Sequence, residues 1–577
     1  MQIEINYRKI RPLDVDGLAK KYESSQEDIA NKYNPFYVTQ IQSFNPLYSD
    51  FFLLNESNYN RVGLNHSYFL EGSHIDKSYH VKCSPLLDPI HYLVGKYKTA
   101  KNIHTLPTLT NQSECFAKIT DKQNASYVDG FFSYLSSKLK HKNNMLNAVD
   151  FYGSYLAVQK VFKATITDDL DYLNQSNYFM ANIGKGYTIS CGASGNNKFD
   201  DFTGVGSRAN KKRLVLEDEL DANDLGVCCV DPEQSTEEPN KEEKVTQPIL
   251  CEYTKSENDG SSSSSESDMD DSDSEQEHQD NKSDASSNCD GESVSDSGTG
   301  VDASESHSGS ESDASDSQSD ESLEAYAYIE NFPTNLIFLE KCDGTLDRLF
   351  LDQEIDETTG AAYLMQVIMS LIAFQKAFHF THNDLHTNNI MYINTDVEFL
   401  YYKYGDRFYR VPTYGKIFKI IDFGRAIYRF KDKLYCSDSF APKGDAHSQY
   451  NSEPYFNDKN PRVEPNLSFD LCRLGTSIYD FIIQDEDEPR DEFQETIYRW
   501  CLDDAGKNVM YRRNGEERYP GFKLYKMIAR NVHAHTPENQ LKYPMFSQFL
   551  MSAKDAAKID ESEVRRYGLN IDLVVKE

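Results

Sequence analysis

Basic residues are scarce in this chain: 60 Lys and Arg stand against 93 Asp and Glu, a formal charge of −33 over 577 residues. A general nucleic-acid binder needs basic surface to displace counterions, so that class of partner is not expected. The 11 cysteines are odd in number, scattered and never spaced C-x-x-C, which argues against a disulfide framework or a zinc site. The N-terminal MQIEINYRKIRPLD has charges throughout and no apolar core of a signal peptide. Nowhere does an uninterrupted run of about 18 apolar residues occur. A soluble, intracellular protein without a membrane partner is the expectation. Hydrophobic residues make up only 38% of the chain, against roughly 45–50% for an ordinary globular protein. Part of it is therefore not expected to fold. The 38 Tyr and 32 Phe nonetheless allow a large core elsewhere, and the length suits several average domains or one large domain with insertions.

The sharpest break in composition falls at 256–322, where Ser, Asp and Glu dominate, as in DGSSSSSESDMDDSDSEQE. Such a segment cannot bury enough surface to offset chain entropy, so disorder is expected there. It carries about 20 of the net negative charges, leaving the remainder mildly acidic. Many of its serines precede an acid by one to three residues, a pattern suited to acid-directed phosphorylation. A solvated spacer explains the same composition. Upstream, residues 1–60 mix a short helical pattern with aromatic loops. Strand-like SYHVKCSPL (78–86) precedes an amphipathic helix at 127–139, and a second strand-like run covers 147–159. Residues 160–255 read as polar and irregular. Regular structure returns at NLIFLEKC (335–342), followed by a long apolar helix at 361–380.

The chemistry concentrates in HNDLHTNN, His382 to Asn389, set between that helix and the strand-like IMYI. A carboxylate and an amide five residues apart in a helix-to-strand loop can face one space. About thirty residues on, the β-rich KIFKI leads to Asp422-Phe423-Gly424, and a carboxylate so placed can bind a hard cation. Phosphoryl transfer requires such parts: a carboxylate that accepts the attacking hydroxyl's proton, and an amide oxygen with a second carboxylate to hold Mg²⁺ on nucleotide phosphates.

The order HxDxxxxN then DFG resembles the catalytic and magnesium loops of protein kinases. The resemblance extends through NLIFLEKCDGTLDRLF (335–350), SFDLCRLGTSIYDFI (468–482) and LYKMIARNVHAHTPENQLKYPMF (524–546), covering most of 335–550. The wording HNDLHTNNI and IIDFGRAIY is most similar to serine/threonine kinases of giant DNA viruses of the mimivirus type. It implies an α+β, two-lobed protein-kinase-like fold with a small, mostly β N-lobe, a mostly helical C-lobe and a long disordered acidic insertion. The implied layout is an extension at 1–60, the first part of the N-lobe at 61–160, an insertion at 161–334, and hinge and C-lobe at 335–577. The implied cofactors are ATP and Mg²⁺, the partner a protein bearing Ser or Thr, and the location the host cytoplasm or the virion. By position, Asp384 would be the base, Asn389 and Asp422 the metal ligands, and Phe423 the ring packed beneath the site. Asp470 would brace the catalytic-loop backbone, and Glu340 and Cys342 would flank the adenine-holding hinge.

The chain departs from the family at several points. No G-x-G-x-x-G lies ahead of a strand lysine; Gly63 is the candidate for a strand–turn–strand lid, an ordinary turn being its alternative. The glycines of 184–195 fall too late in the chain and read as an insert. Lys82 is the candidate phosphate-positioning lysine, with Asp129 as partner in place of the usual Glu. A surface lysine and a helix-start aspartate explain both residues equally. Asn383 stands where many kinases carry an Arg that grips an activation-loop phosphate, so activation by loop phosphorylation is not expected. His386 stands where a Lys usually contacts the transferred phosphoryl group, and HNDLH is also the wording of aminoglycoside- and choline-type kinases. Three functions stay open: a serine/threonine kinase, a small-molecule kinase, and a pseudokinase scaffold. Residues 398–418 read as an extra hairpin.

Overall fold

The computed structural model describes residues 5, 7–9, 13–25, 33–64, 78–191, 324–483 and 489–574. The acidic tract 256–322 and the GASG glycines (192–195) lie outside these. The described chain is a mixed α+β fold in which all but one of the strand pairings are antiparallel.

The main sheet runs in the order Val38–Gln42, Phe151–Thr165, Ala325–Glu340, Tyr79–Pro85, with Tyr187–Cys191 pairing farther along Ala325–Glu340. The register pairs Lys82 with Ile337 and Tyr155 with Leu336. Side chains alternate across a strand. Tyr79, Val81 and Cys83 therefore share one face, where they pack on a core of Phe36, Tyr155 and Phe338. Lys82 faces the other way, toward the helix Ala125–Asn143. That helix starts at Asn124, whose side chain accepts the Ser126 amide, and stops at Asn144 in the left-handed region at φ 60°. Asn tolerates this conformation better than most residues.

The helix Glu357–Phe378 begins with a capping box between Asp356 and Thr359. It is long and apolar enough to cross a membrane, yet 89% of its apolar window is buried inside the protein, as in a core helix. After it, Ile390–Asn394 pairs with Lys416–Ile420, and Ile390 lies opposite Ile420. This register fixes the site, because it sets Asn389 and Asp422 at the same end of one two-strand ladder. Between those strands, Phe399–Tyr404 and Arg407–Pro412 form the hairpin expected at 398–418, and the C-terminal Gly568–Asn570 adds to it in parallel.

Three expectations are corrected. Residues 38–42, read as part of an extension, are a strand of the main sheet. The stretch from 160, read as irregular, continues the strand to Thr165, then forms Leu170–Asn174, Asn177–Asn182 and Tyr187–Cys191. The partner strand likewise begins at Ala325 rather than 335. Pro333 lies inside it, opposite Val158, and a proline normally argues against strand interior.

Candidate active site

Lys82 sits between two carboxylates. Its Nζ lies 2.6 Å from Asp129 Oδ2 and 2.8 Å from Asp422 Oδ1. The other Asp129 oxygen accepts the Phe423 amide at 3.0 Å. A shorter carboxylate than Glu thus ties the strand lysine, the helix and the DFG backbone into one unit. Burial alone would pull the Lys82 pKa down, but the facing charges of Asp129 and Asp422 more than offset this and hold it above the ordinary lysine value. Burial pushes the Asp129 carboxyl up against the pull of Lys82. Asp422 keeps 46% of its side-chain surface exposed, and Lys82 holds it ionised. Phe423 is buried and meets Phe132 of the helix edge-on, with ring centroids 4.6 Å apart.

The loop at 382–389 is held from beneath. Asp470, fully buried at the start of the helix Phe469–Ile482, accepts the amides of His382 and Asn383, both at 2.9 Å. Asn383 takes φ 65°, and its side chain is bound by Thr381, the Arg425 carbonyl and Tyr450 Oη. An Arg in its place could not accept the Tyr450 hydroxyl, because a guanidinium carries donors only. Asn389 Nδ2 donates to the Asp384 carbonyl at 2.9 Å, and the Ile421 amide donates to the Asn389 carbonyl at 3.0 Å. These bonds knit 384, 389 and 422 into one locale. Asp470→Asn would put an amide NH₂ against a backbone N–H. We expect a loss of about 2–3 kcal/mol in urea unfolding, the cost of an unpaired buried donor, and a Tm that falls with it.

Asp384 itself faces cations. Tyr525 Oη donates to its Oδ1 at 2.7 Å, Arg473 Nε lies 4.0 Å from Oδ1, and Arg425 Nη1 lies 3.9 Å from Oδ2. Burial would raise its pKa, but Arg425, Arg473 and the Tyr525 bond outweigh that and hold the carboxyl well below the usual range. His386 opens the short turn Thr387–Asn389, and burial lowers its pKa to about 4. It is therefore a neutral imidazole at pH 7.

One expected residue stands elsewhere. Gly63 lies within the strand Val62–Leu64, paired with Arg8, and not in a turn. Glu340 ends its main-sheet strand: its carboxylate accepts Lys140 at 2.9 Å, Lys419 at 3.1 Å and the Asp150 amide at 3.1 Å, while its own amide donates to Asp150. Cys342 is half-buried, its thiol pushed up to about 11 by burial. The segment after DFG is tied down by a residue the sequence did not single out. Asp438 pairs with Lys118 and accepts the Ala125 amide at 2.9 Å, at the first turn of the Asp129 helix. A carboxylate there also complements the helix dipole.

Lys419, with no exposed side-chain surface, donates to the carbonyls of Leu146 and Ala148 and to Glu340. Burial lowers its pKa to about 8. A lysine that gives up its proton more readily when folded makes stability rise with pH, here between about 8 and the ordinary lysine value. The stability difference between wild type and Lys419→Met should therefore grow over that window, by at most about 1.4 kcal/mol per pH unit. Urea unfolding at stepped pH reads it, and a flat difference would contradict the assignment.

A cavity of about 830 Å³ lies elsewhere, lined by residues including Lys142, Tyr401, Phe408, Val564 and Leu569. None of its lining residues belongs to the Lys82–Asp422 cluster, and the converging charged groups mark the cluster as the candidate site. No protein-family model matches the chain, and no curated protein matches it.

Proposed function

We propose that this protein is a Mg-ATP-dependent phosphotransferase of two-lobed, protein-kinase-like architecture that phosphorylates Ser or Thr of a protein. The observation that carries this reading is Lys82 bridging Asp129 and Asp422, on a strand-and-helix pair arranged as the lysine–acid pair of that family. Lys82 would position the α and β phosphates. The Glu340, Lys341 and Asp343 amides are spent on Asp150, Ser78 and Tyr392, so the Cys342 backbone is the adenine contact in this reading.

The donor set suits magnesium. Asn389 spends its amide nitrogen on the Asp384 carbonyl, which turns its Oδ1 to the opposite side, and Asp422 is partly open to solvent. Among the described residues no group of three or more His, Cys, Asp or Glu is gathered for a metal. Mg²⁺ needs no such cage, since it binds through one or two protein oxygens plus substrate phosphates and water. When bound, it neutralises charge on the β and γ oxygens. Asp384 would take the proton of the attacking hydroxyl as its oxygen bonds to the γ-phosphorus. The bond from that phosphorus to the β–γ bridging oxygen breaks, and ADP leaves.

A protein acceptor is favoured over a small molecule by the long segment between Asp422 and about Pro465, which carries its own anchors at Arg425–Asp445 and Lys118–Asp438. Transfer of label from [γ-³²P]ATP to a mixed set of Ser/Thr proteins, aminoglycosides and choline is the test. Label on protein is expected. Label on a small alcohol alone would move the enzyme to the second class, and none on any acceptor would leave a scaffold.

A further inference from the structure

The cation that the related loops carry two residues after the base is replaced here by His386, which is neutral at pH 7. Positive charge nonetheless reaches Asp384 from two other elements. Arg473 comes from the helix Phe469–Ile482, and Arg425 follows DFG. The two differ in how they are held. Arg425 Nη2 is anchored to Asp445, and its Nη1 faces Asp384 Oδ2 at 3.9 Å. Arg473 acts through an intermediary: its Nε donates to Tyr525 Oη at 2.8 Å, and that hydroxyl donates to Asp384 Oδ1 at 2.7 Å.

Tyr525 belongs to the helix Phe522–Asn531 and is fixed from both sides. Its ring meets Phe469 at 6.0 Å and Phe522 at 5.8 Å, and the Arg473 guanidinium lies 5.2 Å from the ring centre. Because the phenol oxygen accepts from Arg473, its one proton is directed onto the carboxylate. A hydrogen bond so polarised is stronger than a neutral pair and fixes the rotation of the acceptor.

We propose that Tyr525 and Arg473 are positioning residues for the base: they hold Asp384 by Oδ1 and leave Oδ2, beside Arg425, to receive the acceptor hydroxyl. The inference rests on the phosphotransferase reading and adds to it how the base is oriented when position 386 carries no charge. A catalytic group held by one oxygen presents the other in a fixed direction, and small losses of such alignment cost rate rather than binding. Arg425, close to Oδ2, then supplies the charge that faces the transferred group. The phenol cannot itself be the base, because burial and the carboxylate of Asp384 push its pKa up to about 12.

Tyr525→Phe in the full-length chain is the test, since it removes one oxygen and keeps the ring packing. Steady-state transfer from [γ-³²P]ATP should show kcat reduced about tenfold or more, with KM for ATP unchanged and Tm within about a degree of wild type. Arg473→Lys, which keeps a cation able to reach the phenol, should retain more of kcat than Arg473→Gln. Equal kcat in an active wild type and Tyr525→Phe would overturn this inference alone. So would a rise in kcat, which would mean that the phenol occupies the acceptor's seat. A drop in kcat matched by a rise in KM for ATP and a lower Tm would also overturn it, as the mark of a structural role. A wild type that transfers no phosphate would overturn the phosphotransferase reading, and this inference with it.

Discussion

Asp384→Asn is expected to reduce kcat by about 10²–10⁴-fold, the usual worth of a positioned general base, while leaving Mg-ATP affinity close to wild type. The geometry explains the split. Asn keeps a side-chain oxygen that can still accept the Tyr525 hydroxyl, and the backbone carbonyl that receives Asn389 is untouched. The residues assigned to phosphates and metal, Lys82, Asn389 and Asp422, are not altered. What disappears is a carboxylate kept ionised against its burial by Arg425, Arg473 and Tyr525. Since its folded pKa lies below the ordinary Asp value, the wild-type carboxylate stays ionised at neutral pH. Its contribution to stability is present above that ordinary value and is lost only as pH falls toward the folded one. Single-turnover transfer with calorimetric titration of Mg-ATP separates the two quantities. An Asp384→Asn protein that transfers at the wild-type rate would remove this residue from the chemistry.

Lys82→Met is expected to abolish transfer and to destabilise the fold together, because one side chain serves both. The methionine fills the stem but leaves Asp129, whose side chain is 2% exposed, without the lysine that neutralises it. Removing one partner of a buried ion pair costs about 3–5 kcal/mol. Lys82 is itself 26% exposed, so the lower end, about 3 kcal/mol, is the expectation. The raised pKa of Lys82 gives the pH window: the pair's stability is fully present below the ordinary lysine value and is lost as pH climbs through the higher folded one. At pH 7 the whole contribution is therefore at stake. Asp129→Asn added to Lys82→Met should recover part of the stability, since the stranded charge is gone, and none of the transfer. Urea unfolding of the two singles and the double measures the coupling. Additive losses would contradict the ion pair as the link between strand and helix.

The candidate residues were legible because their spacing is local in sequence. HNDLHTNN and DFG each carry their spacing within one loop, and the strand pair between them keeps Asn389 and Asp422 together whatever the inserted hairpin does. Lys82 was a candidate because Val81 precedes it in a strand-like run, and it does lie in the strand Tyr79–Pro85. Asp129, the only acid of the helix expected at 127–139, was named as its partner, and its Oδ2 lies 2.6 Å from the lysine Nζ. Asp129 lies early in a helix whose next turns bury Phe131, Phe132 and Leu135, and only the packing of that helix on the sheet turns its carboxylate to the lysine. Gly63 was misread because it was placed by its rank along the chain, whereas strand pairing decides where a glycine falls. Tyr525 and Arg473 carry no pattern at all. Tyr525 lies 141 residues from Asp384, and only the packing of two helices brings its hydroxyl there. Arg425 was the one outlying cation within reach of sequence reasoning, since it directly follows DFG. Asp438 joins a segment after DFG to the helix that carries Asp129, a contact with no periodic signal in either element.

The claim beneath all of this is that Lys82, Asn389 and Asp422 together bind a magnesium-bound nucleotide. Calorimetric titration of ATP into the full-length protein, with Mg²⁺ and with EDTA, and again into Asp422→Ala, tests it most directly. The account predicts binding that requires Mg²⁺ and weakens at least tenfold in Asp422→Ala. Absence of binding to the wild type, or binding indifferent to both the metal and Asp422, would contradict it.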